Sequence, residues 1–560
     1  MQFGASIPAG PCSTDMPKPT TTIAALLAAA LLTLLAWWWP NRPQAGDVAM
    51  VTERFNSVSF APFRPGQSPL RDIFPTAQQV EEDIALVARR ARAIRTYASI
   101  EGNYEVAEIA ARHGLRVWKG AWLGQDRLRN RQEVDRLIAT ANAHPETVER
   151  VIVGNEVLLR RDLPVSELIA HIDRVKAAVR QPVTYADVWE FWVQFPEVAR
   201  HVDVITIHIL PYWEDEPLGV ERTMAHVRDV YRRMQALFPG KPIAIGEIGW
   251  PSRGRWREDA APSRVNQAVF IREFIRLSQE MGFDYNLIEA FDQVWKYKNE
   301  GTVGAAWGLW TADREEKFPL SGPVVENPEW PWYAGLALLL TLALFGATRA
   351  AFAGAGWREA LLAGPLGNAL AYAACGGIPY AFDEHLKLAV AVNLMGQGML
   401  AALLMRRAAM ILAGQPLEPP RDGRAATATA RDLLLFRWRC LRDWRRFAFD
   451  DLSFVFLWTA AVLQVMLLVD PRYRDFPYPT FAVPLVAVAA RALLRDLQRG
   501  GGGREELMAG GVLAVAAIAS AVLEHPRNLQ AMGWSLCALV LAAPPLLRML
   551  RRQRVPAPAT

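Results

Sequence analysis

Cysteine is nearly missing from this chain: its four copies, Cys12, Cys375, Cys440 and Cys537, all lie outside residues 48–328. A soluble stretch of that size without a thiol has no disulfide framework and no structural zinc, so it must rest on its own core. Histidine is scarce as well, with 8 copies that show no ligand spacing. No metal and no other cofactor is expected, and His208 and His201 read as structural. No glycine-rich phosphate loop follows the first predicted strand, which argues against dinucleotide binding. No basic patch interleaved with aromatics is present, so the sequence pI of 9.0 does not point to nucleic acid. The cytoplasmic-type loops carry no nucleotide-sugar glycosyltransferase motif, and the soluble half has no internal repeat.

What is present divides sharply near residue 330. Before it, charge, aromatics and periodic apolar residues mix as in a soluble domain. After it come long Ala/Leu/Val blocks, several approaching the ~20 apolar residues that cross a bilayer. Residues 329–560 hold 24 Arg or Lys against 16 Asp or Glu, a net +8, while the whole chain is +5 and the preceding part therefore −3. One apolar run, Thr22–Trp39, precedes the soluble part and ends in a Trp triplet suited to a membrane interface. A cleaved signal peptide is the competing reading, disfavoured by the late start and the lack of a clear small-x-small cleavage site. Seven further spans are expected near Trp332–Thr348, Ala360–Ile378, Leu388–Met405, Leu452–Val469, Thr480–Leu494, Met508–Leu523 and Met532–Leu547. Arginine collects in alternate loops: Arg349 and Arg358, ten Arg within 406–450, four within 491–504, and the tail. With eight spans in total, every basic loop falls on one side, the cytoplasmic one. Asp383, Glu384 and His385 form a polar cluster in an outer loop and read as solvated. Asn393 and Gln397, inside a span, read as interhelix hydrogen-bonding groups.

The implied division is a cytoplasmic N-terminus over 1–21, a transmembrane helix over 22–39, a soluble domain over 48–325, a seven-span all-α transmembrane domain over 330–549 and a cytoplasmic tail over 550–560. Within the soluble domain, β-rich runs alternate with amphipathic helical stretches. The runs are Ser57–Ala61, Ala93–Tyr97, Leu115–Ala121, Val151–Gly154, Pro182–Tyr185, Val204–His208, Pro242–Gly246 and Tyr285–Phe291. Helical patterns occupy Ala77–Ala91, Val134–Ala143, Val165–Val179, Leu218–Ala236 and Ser263–Met281. Eight alternations in roughly 270 residues predict an α/β fold of the (β/α)8 TIM-barrel kind, whose chemistry sits at the C-terminal strand ends. A doubly wound open sheet is the runner-up.

Two strand ends carry carboxylates. Val151-Ile-Val-Gly-Asn-Glu156 ends one apolar strand, and Ile243-Ala-Ile-Gly-Glu247-Ile-Gly-Trp-Pro-Ser252 contains the other. Strands four and seven of a barrel bring such groups across one pocket. Facing a glycosidic bond, one of them, raised in pKa, protonates the leaving oxygen while the other attacks the anomeric carbon. Ten Trp lie between 118 and 310; Trp122, Trp189, Trp213, Trp250 and Trp295, at strand ends, are candidate platforms for sugar rings.

The Gly154-Asn-Glu156 and Gly246-Glu-Ile-Gly-Trp-Pro-Ser252 segments resemble the two signatures of glycoside hydrolase family 17, the β-1,3-glucanases and glucanosyltransferases. The resemblance extends over roughly 55–318 and includes Ser59–Ser68, Ile94-Arg-Thr-Tyr97, His208-Ile-Leu-Pro-Tyr-Trp213 and Glu289-Ala-Phe-Asp-Gln-Val-Trp-Lys296. It implies Glu156 as acid/base and Glu247 as nucleophile of a retaining enzyme. Asn155 would hold the sugar 2-hydroxyl and Tyr212 would hydrogen-bond the nucleophile. Tyr97, Trp250, Phe291, Trp295 and Lys296 complete the expected substrate-binding set. Plant members tend to carry Glu where Gln293 stands, so their linkage preference does not transfer. The strand-eight segment looks more like the bacterial membrane-bound branch associated with periplasmic β-1,3/1,6-glucans.

The expected partners are therefore a β-glucan chain, the lipid bilayer and a membrane glucan synthase, with no nucleic acid. The expected location is the bacterial inner membrane, multi-pass, with the catalytic domain in the periplasm. Hydrolysis and transglycosylation share one glycosyl-enzyme intermediate and stay open. So does a second class of function, a non-catalytic glucan-binding partner of a synthase or exporter, against which the intact carboxylate pair argues.

Overall fold

The computed structural model describes residues 19–46, 54–282, 284–352, 356–417, 421–437, 448–497 and 503–552. Most of the expected N-terminal segment 1–21 and of the tail 550–560 lies outside these residues. So do Cys12, Cys440 and the stretches 438–447 and 498–502 of the basic loops.

Eight strands close into a barrel in sequence order: β1 (Phe55–Ser59), β2 (Ala91–Arg95), β3 (Arg116–Ala121), β4 (Val148–Asn155), β5 (Val183–Val188), β6 (Val204–His208), β7 (Ile243–Ile248) and β8 (Asp284–Leu287). All neighbours are parallel, and β8 pairs with β1 through Ser57–Asn286 and Val58–Leu287. This is the TIM barrel, and the open doubly wound sheet is excluded. A parallel sheet covered by helices buries both faces of its strands, so β-branched residues run almost continuously along them. Val58, Ile94, Val117, Val151, Val153, Ile205, Ile207 and Ile245 all lose their solvent contact completely.

The covering helices start where side chains satisfy their first N–H groups. Thr76 and Gln79 form a capping box on Ala77–Val87, Asp126 caps Arg127–Ala143, and Ser263 caps Arg264–Met281. Two expected boundaries move. The first barrel helix ends at Val87 rather than Ala91, because Ala91 already belongs to β2. The eighth strand stops at Leu287, so Glu289–Phe291 belong to the barrel mouth instead of the sheet.

Seven described helices, one before the barrel and six after it, are long and apolar enough to cross a membrane: Thr20–Trp38, Trp330–Thr348, Gly356–Tyr380, Glu384–Leu412, Phe449–Val469, Arg504–Leu523 and Leu529–Met549. The span expected at Thr480–Leu494 is a shorter apolar helix, Pro479–Leu493. At 1.5 Å per residue it reaches roughly 22 Å, less than the ~30 Å of a hydrocarbon core. Two glutamines inside the helices are paired across them. Gln397 Nε2 donates to the Pro479 carbonyl (2.9 Å) while its Oε1 accepts from Val483 N–H (2.9 Å). Gln464 joins Ser520 (2.7 Å) and the Trp534 indole (2.6 Å).

The barrel docks on one end of this helical region. Arg255 pairs with Glu524, Lys298 with Asp383 (3.2 Å), and Trp256 N–H with Gln530 (2.9 Å). Asp383, expected to be merely solvated, is thus a docking contact. Arg407 and Arg491, on segments leading away from the barrel, converge on buried Asp496 at 2.7 and 2.9 Å.

At the barrel mouth β2 and β3 approach closely at Gly120, where a Cβ would stand 2.4 Å from the Thr96 carbonyl and 2.9 Å from that of Tyr97. Gly120→Ala should therefore push the end of β2 outward. A loss of about 1–3 kcal/mol is expected from this overpacking, read as a lower unfolding midpoint in denaturant.

Candidate active site

β4 delivers Asn155 and, directly after it, Glu156. The turn is tight: Gly154 has φ 89° and Glu156 itself has φ 52°. A left-handed glutamate is uncommon and strained, and such residues cluster where surrounding structure over-determines them. Here Glu156 N–H donates to Ala186 O (2.8 Å) and Arg160 N–H to Glu156 O (2.9 Å). β7 presents Glu247 from across the mouth. Both carboxylates line one cavity of about 870 Å³. One oxygen from each, with one ring nitrogen of His208, lie within 4.8 Å of one another.

Buried donors hold the pair in place. The Tyr97 hydroxyl donates to Glu247 Oε1 (2.9 Å), and Arg95 Nη1 approaches the same oxygen at 3.3 Å. Arg95 also donates to the Gly246 carbonyl (2.6 Å) and to Asn155 Oδ1 (2.5 Å). Glu247 Oε2 has no protein partner among the described contacts. His208, fully buried, sits between the carboxylates: Nδ1 is 2.9 Å from Glu156 Oε1, and Nε2 is 3.4 Å from Arg95 Nη1. Because Arg95 can only donate, Nε2 accepts and Nδ1–H faces Glu156.

Burial pushes the Glu156 carboxyl up, but the His208 hydrogen bond and the charges of His208, Arg160 and Arg95 outweigh it and hold the group below its usual range. The sequence reading expected a raised acid. The reversal comes from buried cationic and donor groups that strand spacing alone does not reveal. Glu156, His208 and Glu247 are also the right residue types for a metal, yet Arg95 already sets a cation beside two of them.

Of the other expected residues, Tyr97, Asn155, Trp295 and Lys296 line the cavity, as do Trp122, Trp189 and Trp213. Trp295 is held by its indole N–H to Gln293 Oε1 (2.8 Å), and buried Gln293 donates to the Ala61 and Phe291 carbonyls. Lys296 Nζ reaches both oxygens of Glu289, at 2.9 and 3.1 Å. Burial pushes Glu289 up to about 7 in spite of Lys296. Three residues stand elsewhere. Tyr212 does not reach Glu247; its hydroxyl donates to the Arg255 carbonyl (2.6 Å), and Tyr97 makes the contact expected of it. Trp250 is wholly buried, its indole bonded to Ala261 O (3.1 Å), so it is no sugar platform. Phe291 is wholly buried between Phe60 and Trp310.

Sequence reasoning missed Arg95 and Glu289 as site residues and set His208 aside as structural. The signal for Arg95 was a charged residue within an inward-facing apolar strand. Such a group must be paired, and only a carboxylate at the same level of the barrel could pair it. Arg95→Leu should destabilise the protein by about 3–5 kcal/mol, because it strands buried Glu247 without its cation. Tyr212→Phe, which removes one bond to a backbone carbonyl, should cost about 0.5–1.5 kcal/mol. Denaturant unfolding of the two variants compares them directly.

Residues 57–308 match the BtgE/BtgC glycoside hydrolase domain. The chain is 26% identical over 263 residues to a glucan 1,3-beta-glucosidase of Candida albicans, covering 43% of this chain and 85% of that one. It is 24% identical over 250 residues to a glucan 1,3-beta-glucosidase of Saccharomyces cerevisiae, covering 40% and 80%. Among solved structures, a glycoside hydrolase family 17 β-1,3-glucanosyltransferase from Rhizomucor miehei aligns over 48% of this chain and 98% of its own, with 24% identity and a TM-score of 0.42. Over its barrel the chain is thus similar to the BtgE/BtgC glycoside hydrolase domain, and the protein is an enzyme.

Proposed function

We propose that the barrel cleaves β-1,3-glucan with retention of configuration and passes the glycosyl group to water or to a second sugar. The observation that carries this is the approach of Glu156 and Glu247 oxygens to within 4.8 Å across one cleft. That fits the roughly 5 Å carboxyl spacing of retaining enzymes and leaves no room for the water that inverting enzymes place there at roughly 6.5–9.5 Å. The glucan is favoured by the names of the matched relatives and by a cavity walled with Trp122, Trp189, Trp213 and Trp295.

In this reading Glu247 is the nucleophile. Tyr97 and Arg95 engage Oε1 and hold the carboxylate in place, and Oε2 attacks the anomeric carbon as the bond to the leaving oxygen breaks. Glu156 protonates that oxygen. The proton is taken up from solvent as substrate enters, and the 2.9 Å bond from His208 Nδ1–H keeps the carboxyl oriented toward the leaving oxygen. Glu156 then takes a proton from water or an acceptor hydroxyl, whose oxygen attacks the anomeric carbon and releases Glu247. Arg95 fixes the Asn155 amide with Oδ1 inward, which leaves Nδ2 for a sugar hydroxyl.

Glu247→Ala should abolish turnover, and azide should restore it with inverted product. Glu156→Ala should lose roughly 10²–10⁴-fold on glucan yet keep much of its rate on substrates whose leaving group needs no proton. His208→Ala should follow the Glu156 pattern, because it frees that carboxyl to turn; if it follows that of Glu247, His208 does not position Glu156. Product lengths from laminari-oligosaccharides separate transfer, which lengthens chains, from hydrolysis.

We further infer a bacterial inner-membrane protein with the barrel in the periplasm, remodelling exported glucan that carries 1,3 and 1,6 linkages, beside a membrane glucan synthase. In support, the barrel touches turns at 383, 474–475 and 524–530, whereas the Arg-rich segments near 349–358, 406–450 and 491–504 join the other ends of the same helices. A phosphatase reporter inserted after residue 320 should be active, and one after residue 430 silent. The opposite result would invert the topology.

A further inference from the structure

One stretch of the catalytic cleft does not come from the barrel. Between the apolar helices Phe449–Val469 and Pro479–Leu493 the chain turns through residues 470–478, and Arg472 and Tyr473 of this turn line the cavity that holds Glu156 and Glu247. The Tyr473 ring meets Trp213 edge-on with centroids 5.8 Å apart. The Arg472 guanidinium lies 5.5 Å from the Trp213 centroid and 5.6 Å from that of Tyr473. Trp213 is itself backed by Trp307, nearly parallel at 6.5 Å. The loops after β6 and β8 and a turn of the helical region therefore make one continuous aromatic wall.

The turn is fastened, not merely adjacent. Gly301, in the segment after β8, has φ 68°, and a Cβ there would stand 2.1 Å from the Tyr473 carbonyl oxygen. Only glycine tolerates both the conformation and the approach. Thr302 donates to Asp475, and Arg255 Nη1 donates to the Arg474 carbonyl (2.9 Å) while its guanidinium covers Phe476 at 4.3 Å. Asn528 adds a bond to Trp256 O (3.0 Å), and Tyr297 packs on Phe382 at 4.8 Å. Backbone and side chains thus hold the segment carrying Arg472 and Tyr473 on both flanks. Among the described contacts neither the Arg472 guanidinium nor the Tyr473 hydroxyl has a hydrogen-bond partner, although both groups sit on the cleft wall. Unengaged donors beside an aromatic face suit a sugar ring, which offers an apolar face and peripheral hydroxyls.

We propose that the 470–478 turn of the helical region supplies a sugar subsite of the catalytic cleft. Tyr473 with Trp213 forms the platform for a glucosyl ring of the chain, and Arg472 donates to its hydroxyls. This rests on the reading of the cleft as a β-glucan site. The cleft is complete only when the helical region is seated on the barrel. The pre-ordered turn adds affinity for longer chains at little ordering cost.

The test uses the full chain, in membranes or detergent, with laminari-oligosaccharides of increasing length. Tyr473→Ala and Arg472→Ala should raise KM by roughly 3- to 10-fold on the longer substrates, an increase that shrinks as the chain shortens, with a smaller effect on kcat. Tyr473→Phe should recover most of the Tyr473→Ala loss, because the ring supplies the platform. Lys298→Ala, at a docking contact outside the cavity, should leave the dependence of KM on length unchanged, and all variants should unfold near the wild-type temperature. If wild type cleaves these substrates and the Tyr473→Ala and Arg472→Ala curves superimpose on it, the subsite is refuted while the glucanase reading stands. If wild type neither cleaves nor lengthens any of them, that reading falls and the subsite with it.

Discussion

A guanidinium charge inside a barrel is costly unless a carboxylate and further hydrogen-bond acceptors face it. Arg95 meets that condition by reaching across the mouth from β2 to three acceptors, the Gly246 carbonyl and Glu247 carboxylate of β7 and the Asn155 amide at the end of β4. Those strands are far apart in sequence and not adjacent in the sheet. One side chain therefore ties together the ends of β4 and β7 and fixes the placement of Glu247 and the orientation of the Asn155 amide. Removing any of the three would leave a buried charge or donor unpaired, so the site behaves as a unit.

His208 adds the second tie. It bridges Glu156 and the Arg95–Glu247 pair through one ring, with Nδ1–H toward Glu156 and Nε2 toward Arg95. The left-handed Glu156 is part of the same arrangement. The turn after Gly154 leaves its side chain on the cavity wall. The barrel provides rigidity, and the strained residue is tolerated because bonds to Ala186 and Arg160 surround it.

The helical region enters the chemistry through packing. Its barrel-facing turns do not merely tether a soluble domain: they interlock with the loops after β6, β7 and β8, and one of them reaches the cleft wall. Gly301 marks the closest approach. The cleft is therefore bordered by the helical region as well as by the barrel.

Much of this was legible in the residues themselves. Alternating β-rich and amphipathic stretches announced the barrel, since each strand is short, apolar on both faces and followed by a one-sided helix. Strand-end position exposed Glu156 and Glu247, and aromatic residues at the same ends marked the cavity. Apolar length announced seven of the expected spans, while Thr480–Leu494 became the shorter Pro479–Leu493 helix. Sequence position could not say which of two tyrosines, Tyr97 or Tyr212, reaches Glu247, nor that Trp250 and Phe291 turn inward. Those choices depend on the barrel's circumference and the direction of each Cβ. Nor could it join residues 472–473 to a cleft some 200 positions earlier in the chain. Local pattern determines which segments are strand, helix or span, because propensity and burial act over a few neighbours. Pairing between distant charges and rings is decided only when the chain has closed, because those forces act across space and not along the sequence.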